Sequence, residues 1–171
     1  MNMFLTKVSV FIVMAFLAGM PVVSQAGEKE KFTFTKEVAP TSLSETKMPL
    51  PDAPNHEYVQ GVYSFPIKSS NPEWDGINEI GYGQVDQIAG TGRHWGIGQF
   101  FLKSGDQVWY RYQGTHNTAT KDSGAWETTF EGSADFVGGT GKYKNVNGKV
   151  TYQGKDTAEG TMEELHAEME Y

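Results

Sequence analysis

The sequence predicts an all-β protein, folded as a sandwich or as a closed barrel of about seven or eight strands. From residue 57 onward, apolar residues alternate with polar ones. This is the period of a strand that buries one face. Clusters of Gly, Asp, Asn and Ser separate the alternating runs, and no long window carries the apolar stripe of an amphipathic helix.

The alternating runs can be placed in order along the chain. They cover 57–65, 79–88, 94–103, 106–114, 124–135, 146–155 and 159–171. The last two are predicted to form a hairpin around Asp156 and Thr157, with Lys149 opposite Glu164. Residues 138–155 carry lysines and no acid, whereas residues 156–171 carry acids and no base. Opposite charges that face each other across neighbouring strands stabilise their pairing. The alternative is two solvated charge runs that never meet.

Residues 1–26 are predicted to be a secretory signal peptide. A short segment with the single charge of Lys7 precedes an apolar run at 8–23, and Ser24 and Ala26 provide small residues at the two positions that a signal peptidase inspects. The run is shorter than the roughly 20 residues of a membrane span, which disfavours an uncleaved anchor. We therefore expect cleavage after Ala26, a secreted or periplasmic product, and no stable membrane anchor.

Residues 27–55 are predicted to form an extended arm ahead of a barrel domain at 56–171. Within the arm a short strand at 31–35 would place Phe32 and Phe34 on one face. A continuous helix or a central strand is excluded by prolines, which occupy positions Pro40, Pro49, Pro51 and Pro54.

Composition excludes several functions. The chain has 21 acidic against 14 basic residues and a net charge of −7, which is unsuited to neutralising the phosphates of a nucleic acid. There is no cysteine, and so neither a disulfide framework nor a thiol nucleophile. The spacing of the four histidines matches no common metal motif. We expect no metal and no cofactor.

The glycine-rich stretch FVGGTGKYKNVNGKV at 136–150 resembles a phosphate-binding loop but lacks its spacing. Phe136 stands where the first glycine of a P-loop belongs, and Tyr143 replaces the serine or threonine that the motif requires. Glycines also permit positive φ and close backbone approach at a strand corner. Gly138, Gly139 and Gly141 are therefore predicted to be structural.

The motif GGTGKY, followed by Gly148, Lys149 and Val150 at the start of a strand, resembles a signature of the allene oxide cyclase and dirigent families. The resemblance implies a calycin-type, eight-stranded antiparallel barrel, and a homotrimer or another homo-oligomer. It also implies an apolar or phenolic small molecule in the lumen, cyclised or coupled without a cofactor. The match covers the motif and not the families' catalytic positions, so no catalytic residue carries over.

Alternation along each strand predicts which side chains line the lumen. The inward face predicted in this way is largely aromatic, which suits a ligand with an apolar body and one or two polar handles. The alternative is that these aromatic side chains simply fill the barrel. The ligand-binding candidates are Tyr82, Gln99, Phe101, Tyr110, Tyr112, Trp126, Phe130 and Tyr152.

Two acids are candidates for catalysis. Glu163 interrupts the apolar face of the last strand, and burial would raise its pKa and suit it to proton transfer. Asp86 is the second, and for both the alternative is a wet position at the barrel rim. The sequence thus predicts an exported barrel that binds a hydrophobic or phenolic small molecule. The alternatives are a cofactor-independent cyclase or isomerase and a non-catalytic structural or oligomerising protein.

Overall fold

A computed structural model describes residues 27–37 and 40–171. The predicted signal peptide lies outside these described residues. Within them, no helix has the length and apolar character needed to cross a membrane.

Within the described residues, ten antiparallel strands form one sheet, which confirms the all-β class with two strands more than the predicted eight. Among the described residues the helical content is a single 3-10 turn at Gly141–Tyr143. The strands are β1 (Lys29–Lys36), β2 (Thr41–Leu50), β3 (His56–Pro66), β4 (Lys68–Ser69), β5 (Asn78–Ile88), β6 (Thr91–Phe101), β7 (Gln107–Thr120), β8 (Trp126–Gly139), β9 (Asn147–Thr157) and β10 (Gly160–Glu170).

The sheet curls into a half-barrel whose two ends approach each other. Its order is β2-β3-β5-β6-β7-β8-β9-β10-β1-β4. The two-residue strand β4 follows β3 almost directly along the chain, yet it pairs with β1 at the opposite end of this order. Residues 56–69, which form β3 and β4, therefore contribute a strand near each end of the sheet.

The base of the half-barrel is filled by aromatic side chains. Trp74, in the loop between β4 and β5, is completely buried. Its ring lies against Phe32, Phe100 and Tyr143, with ring centroids 5.0, 5.1 and 5.9 Å away. Tilted and edge-to-face contacts of this kind stabilise beyond the area that they bury, so this end of the half-barrel is a solid core.

The predicted N-terminal arm is largely part of the sheet. β1 pairs with β10 along its whole length, and Phe32 and Phe34 share a buried face as predicted. Among the described strands, β2 pairs with β3 alone and forms one edge of the sheet. Pro49 lies inside β2, where an edge strand tolerates a residue without an N–H. The prolines exclude a central strand here, but not an edge strand.

β9 and β10 form the predicted hairpin, but in a different register. The turn falls at Ala158 and Glu159, so Lys149 lies opposite Glu168 and not opposite Glu164. Opposite charges still face each other across these strands, because Lys149 of β9 and Lys31 of β1 both lie opposite Glu168 of β10. The Nζ atom of Lys31 is 2.5 Å from the Glu168 carboxylate. Opposite charges fix the pairing of the strands, while the turn sets its register.

Inward-facing glycines make room for aromatic rings on neighbouring strands. A Cβ atom placed on Gly98 would lie 2.0 Å from the hydroxyl oxygen of Tyr110, and one on Gly132 would lie 2.3 Å from that of Tyr152. Gly154 receives the ring of Phe130 in the same way. These close approaches require the absence of a side chain.

Replacing Gly98 by alanine should destabilise the fold, and Gly81→Ala is its matched control. The two glycines are directly opposite each other on β6 and β5. At Gly81 a new Cβ would meet its nearest neighbour at 3.6 Å, an ordinary contact. We expect Gly98→Ala to lower the free energy of unfolding by about 2 kcal/mol through overpacking, and Gly81→Ala to leave it equal or slightly higher. Urea titration measures both, and equal effects would contradict the proposed ring–glycine contact.

Candidate functional site

A cavity of about 410 Å³ lies inside the half-barrel. Side chains from β1, β2, β3 and every strand from β5 to β10 line it. Its volume is within the range of about 300–1,000 Å³ that small-molecule sites occupy. A surface depression of about 1110 Å³ shares Lys36, His116, Phe130 and Glu163 with the cavity, so the two spaces meet at these side chains.

The most unusual feature of the cavity is a buried charged cluster. The Nζ atom of Lys36 is 3.0 Å from Oε2 of Glu79 and 3.1 Å from Oε2 of Glu163. The three side chains are only 7%, 2% and 9% exposed, respectively. The Tyr110 hydroxyl donates a hydrogen bond to the other oxygen of Glu79, and Lys36 Nζ lies 4.3 Å from the ring centroid of Phe65.

Three separate elements supply this cluster. Lys36 ends β1 and faces Glu163 of β10 across a regular antiparallel pair. Glu79 lies on β5, near the other end of the sheet. The lysine side chain therefore bridges the gap between the two ends of the curled sheet, where β1 and β4 contribute only two ladder pairs.

Burial and charge set the protonation of the cluster. Burial alone would lower the pKa of Lys36, but the carboxylates of Glu163 and Glu79 outweigh it and hold that pKa above its ordinary value. Burial raises the pKa of Glu163, although the neighbouring ammonium opposes this. Burial and the charge of Glu79 also raise the pKa of Tyr110 well above its usual range. The cluster thus holds a fixed ammonium group beside a carboxyl that takes up a proton more readily than a solvated one.

A second polar group in the cavity is neutral. His94 Nε2 lies 2.8 Å from the Tyr152 hydroxyl oxygen, and its ring centroid is 5.7 Å from that of His116. Burial lowers the pKa of His94 to about 4, with a further contribution from His116. Burial also lowers the pKa of His116. Both imidazoles are therefore uncharged at neutral pH. Each can donate one hydrogen bond and accept another without adding charge to the cavity.

Several predicted site residues do lie around the cavity. Tyr110, Tyr112, Phe130 and Tyr152 line it, and Glu163 lies in the buried cluster and not at a wet rim. On β7, β9 and β10 the bulky side chains face inward, so alternation identified the correct face there. Their roles in ligand binding stay predictions.

The predicted positions of four other residues are corrected. On β5 and β6 the inward positions 81, 83, 96 and 98 are glycines, and alternation therefore assigned the lumen to the wrong face. Tyr82 is 48% exposed on the outer surface, and Phe101 is also exposed. Gln99 lies outside the cavity, where its side chain donates to Gln107 at 2.7 Å. Trp126 is exposed at the first position of β8.

Asp86 lies on the outer surface and does not line the cavity. Its side chain is 51% exposed and lies 2.7 Å from His56 Nε2, while His56 Nδ1 is 2.6 Å from Asp52. The hydrogen bond with Asp86 raises the pKa of His56 most, and the hydrogen bond with Asp52 raises it further. Asp86 was predicted from the same misassigned face of β5, and its geometry supports a surface contact between β5 and the turn after β2.

Sequence reasoning missed Lys36, Glu79, His94 and His116. Lys36 shares the buried face of Phe32 and Phe34, and His94 shares that of Phe100. The alternation of residues along β1 and β6 was therefore the signal that could have placed Lys36 and His94 on the inner face. Within the described ranges, no group of three or more His, Asp or Glu side chains is placed to hold a metal ion.

The glycine-rich loop turns a strand corner. Gly141 has φ of +52° and Gly138 has φ of +152°, where a residue with a side chain is strained. The Thr140 hydroxyl accepts a hydrogen bond from the backbone N–H of Gln107 at 2.9 Å. Lys142 Nζ lies 2.7 Å from a carboxylate oxygen of Glu73. The lysine of the motif is thus engaged in an ion pair that ties the loop to the base of the half-barrel.

Comparison with known proteins adds little to this geometry. No protein-family model matches the chain, and no curated protein matches it. Among solved structures, the chain is similar to a pterocarpan synthase dirigent protein, with 16% sequence identity, 96% of each chain covered and a TM-score of 0.42. At this identity and TM-score, the similarity assigns neither a ligand nor a reaction to the chain.

Replacing Lys36 by methionine should strongly destabilise the protein, because two buried carboxyl groups lose their shared counter-charge. We expect a loss of about 3 kcal/mol or more in the free energy of unfolding at neutral pH. Lys31→Met is the control on the same strand, since its partner Glu168 is exposed. That change should cost less than about 1 kcal/mol.

The deficit of Lys36→Met should also depend on pH. Without the ammonium group, the folded-state pKa of Glu163 rises further above its unfolded value. Such a carboxyl contributes stability that is present below the unfolded pKa and is lost as the pH rises through the folded pKa. The difference from wild type should therefore be smallest in mild acid and grow toward neutral pH. Denaturant titrations across this pH range test it, and a deficit independent of pH would contradict the buried-charge explanation.

Proposed function

We propose that this protein binds a small molecule with an apolar body and a polar end inside the half-barrel. One observation carries the proposal: an apolar-walled cavity converges on a buried, charged cluster. Burying charge is costly, and apolar side chains of similar volume would often stabilise a core equally well or better. Charged groups retained beside an open cavity, with shifted pKa values, are typical of a functional site.

The cavity wall supports a ligand that is largely apolar. Phe34, Val59, Phe100, Ala134 and Leu165 present carbon surface to it. Phenolic and imidazole groups at Tyr112, Tyr152 and His94 supply a few hydrogen-bonding positions. This combination of an apolar wall with few convergent polar groups favours binding over a filled, purely structural barrel.

Export and self-association belong to the same proposal. The features of residues 1–26 favour secretion or a periplasmic location. On the outer face, Tyr82 and Ile97 lie opposite each other on β5 and β6, and both are about half exposed. Apolar side chains grouped in this way on a surface favour contact with another protein chain, and a homo-oligomer is the arrangement that the resemblance implies.

Filling the cavity should abolish binding. The neutral fluorescent probe N-phenylnaphthylamine should bind the wild type with enhanced emission, and Val85→Trp should prevent this because Val85 lines the cavity. Val137→Trp is the control, since Val137 is 52% exposed on the outer surface. Circular dichroism checks that both variants fold. Equal probe binding by both variants would contradict a ligand site inside the half-barrel.

A second candidate function is a cofactor-independent cyclase or isomerase, favoured by the buried carboxyl of Glu163. Burial raises the pKa of this carboxyl, which suits it to give and take a proton beside an apolar cavity. Glu163→Gln keeps the shape but cannot exchange the proton. A co-purifying ligand, recovered by native mass spectrometry, should take up solvent deuterium on the wild type but not on this variant. Equal uptake on both, or none on either, would leave binding as the function.

A further inference from the structure

We propose that the polar end of the ligand is a hydrogen-bond donor, a hydroxyl or an ammonium group, and that the cavity rejects carboxylates. The inference rests on the proposed binding function and specifies the chemical class of its ligand. It follows from the charges that line the cavity, from one buried oxygen without a partner, and from the geometry of Lys36.

The first observation is an excess of acidic groups around the cavity. Among the residues that the structure describes, four carboxyl side chains line it against two ammonium groups. Lys47 and Glu45, both on β2, pair with each other at 3.3 Å. This leaves Lys36 to balance the three remaining acids, and the two histidines that line the cavity add no charge at neutral pH. An anionic ligand would therefore enter a site that is already negative.

The second observation is an unpartnered acceptor. Asp156 lines the cavity from β9, and its Oδ1 atom is buried and forms no hydrogen bond within the described part of the chain. A buried carboxylate oxygen left without a donor is costly. Burial raises the pKa of Glu163, and the charge of Asp156 adds to this rise. A ligand O–H or N–H would satisfy this oxygen, whereas a ligand carboxylate would be repelled by it.

The third observation is that Lys36 is already engaged. Its ammonium group contacts Glu79 and Glu163 at 3.0 and 3.1 Å and lies over the Phe65 ring. The positive group best placed to receive a ligand carboxylate is thus held by two protein carboxyls. An incoming carboxylate would have to compete with both of them.

Three indoles with the same ring system separate the ligand classes. Tryptamine carries an ammonium group, tryptophol a hydroxyl and indoleacetate a carboxylate. Isothermal titration should show that tryptamine and tryptophol bind at least about tenfold more tightly than indoleacetate. The ratio of tryptamine to tryptophol then tells whether charge adds to hydrogen-bond donation.

Asp156→Asn locates the preference. It removes one charge with little change of shape, and we expect the ratio of tryptamine to indoleacetate affinity to fall several-fold. Asp135→Asn is the matched control, because Asp135 is exposed and does not line the cavity. An unchanged ratio in Asp156→Asn, or an equal fall in both variants, would overturn the assignment of the preference to Asp156.

The other outcomes separate this inference from the proposed function. If indoleacetate binds as tightly as the other two indoles, the inference is wrong and cavity binding stands. If N-phenylnaphthylamine binds but none of the indoles does, the donor preference is likewise wrong. If neither the probe nor any indole binds, the proposed function itself fails, and the inference fails with it.

Discussion

The ammonium group of Lys36 is the constraint on which the rest of the structure depends. It joins β1 and β10 to β5 in the interior, where a charge is tolerated only when it is paired. The two ends of the sheet meet at a seam, where β1 and β4 form only two ladder pairs. The ion-paired contact of Lys36 strengthens this weak seam. Because the seam is polar, the interior above the aromatic base cannot become a uniform apolar core. Structure and site therefore share the same three side chains.

The glycines provide the second condition for a cavity. A narrow curled sheet would ordinarily be filled by its inward side chains. Here the outer ends of the Tyr110, Tyr152 and Phe130 rings occupy the space that side chains at glycines of adjacent strands would fill, so the rings stay close to the sheet. Space then remains next to the charged cluster. A wall of rings with few rotamers also binds a ligand at low entropic cost.

The sequence predicted the strand content well, and the site only in part. Period-two alternation identified β3 and the strands from β5 to β10, and bulky residues revealed the inward faces of β7, β9 and β10. Alternation failed on β5 and β6, because an inward glycine carries no hydrophobic signal and the bulky Tyr82 lies on the outer face. Glu163 was recognisable as an acid on an apolar face.

Lys36 and Glu79 could not be predicted as a pair. They are far apart in the chain and meet only because the sheet curls until its ends approach, which depends on the twist of the whole sheet and not on any local pattern. Lys36 also lies next to a proline-rich segment that resembles a linker. A long-range ion pair of this kind becomes visible only when the strand order is known.

A double-mutant cycle between Lys36 and Glu79 tests the central claim most directly. Unfolding free energies of Lys36→Met, Glu79→Gln and the double variant give the coupling between the two ends of the sheet. If the buried ion pair closes the seam, Glu79→Gln should cost much less in the Lys36→Met background, with a coupling of about 1.5 kcal/mol or more. Additive effects, within about 0.5 kcal/mol, would contradict the claim that this pair holds the half-barrel together.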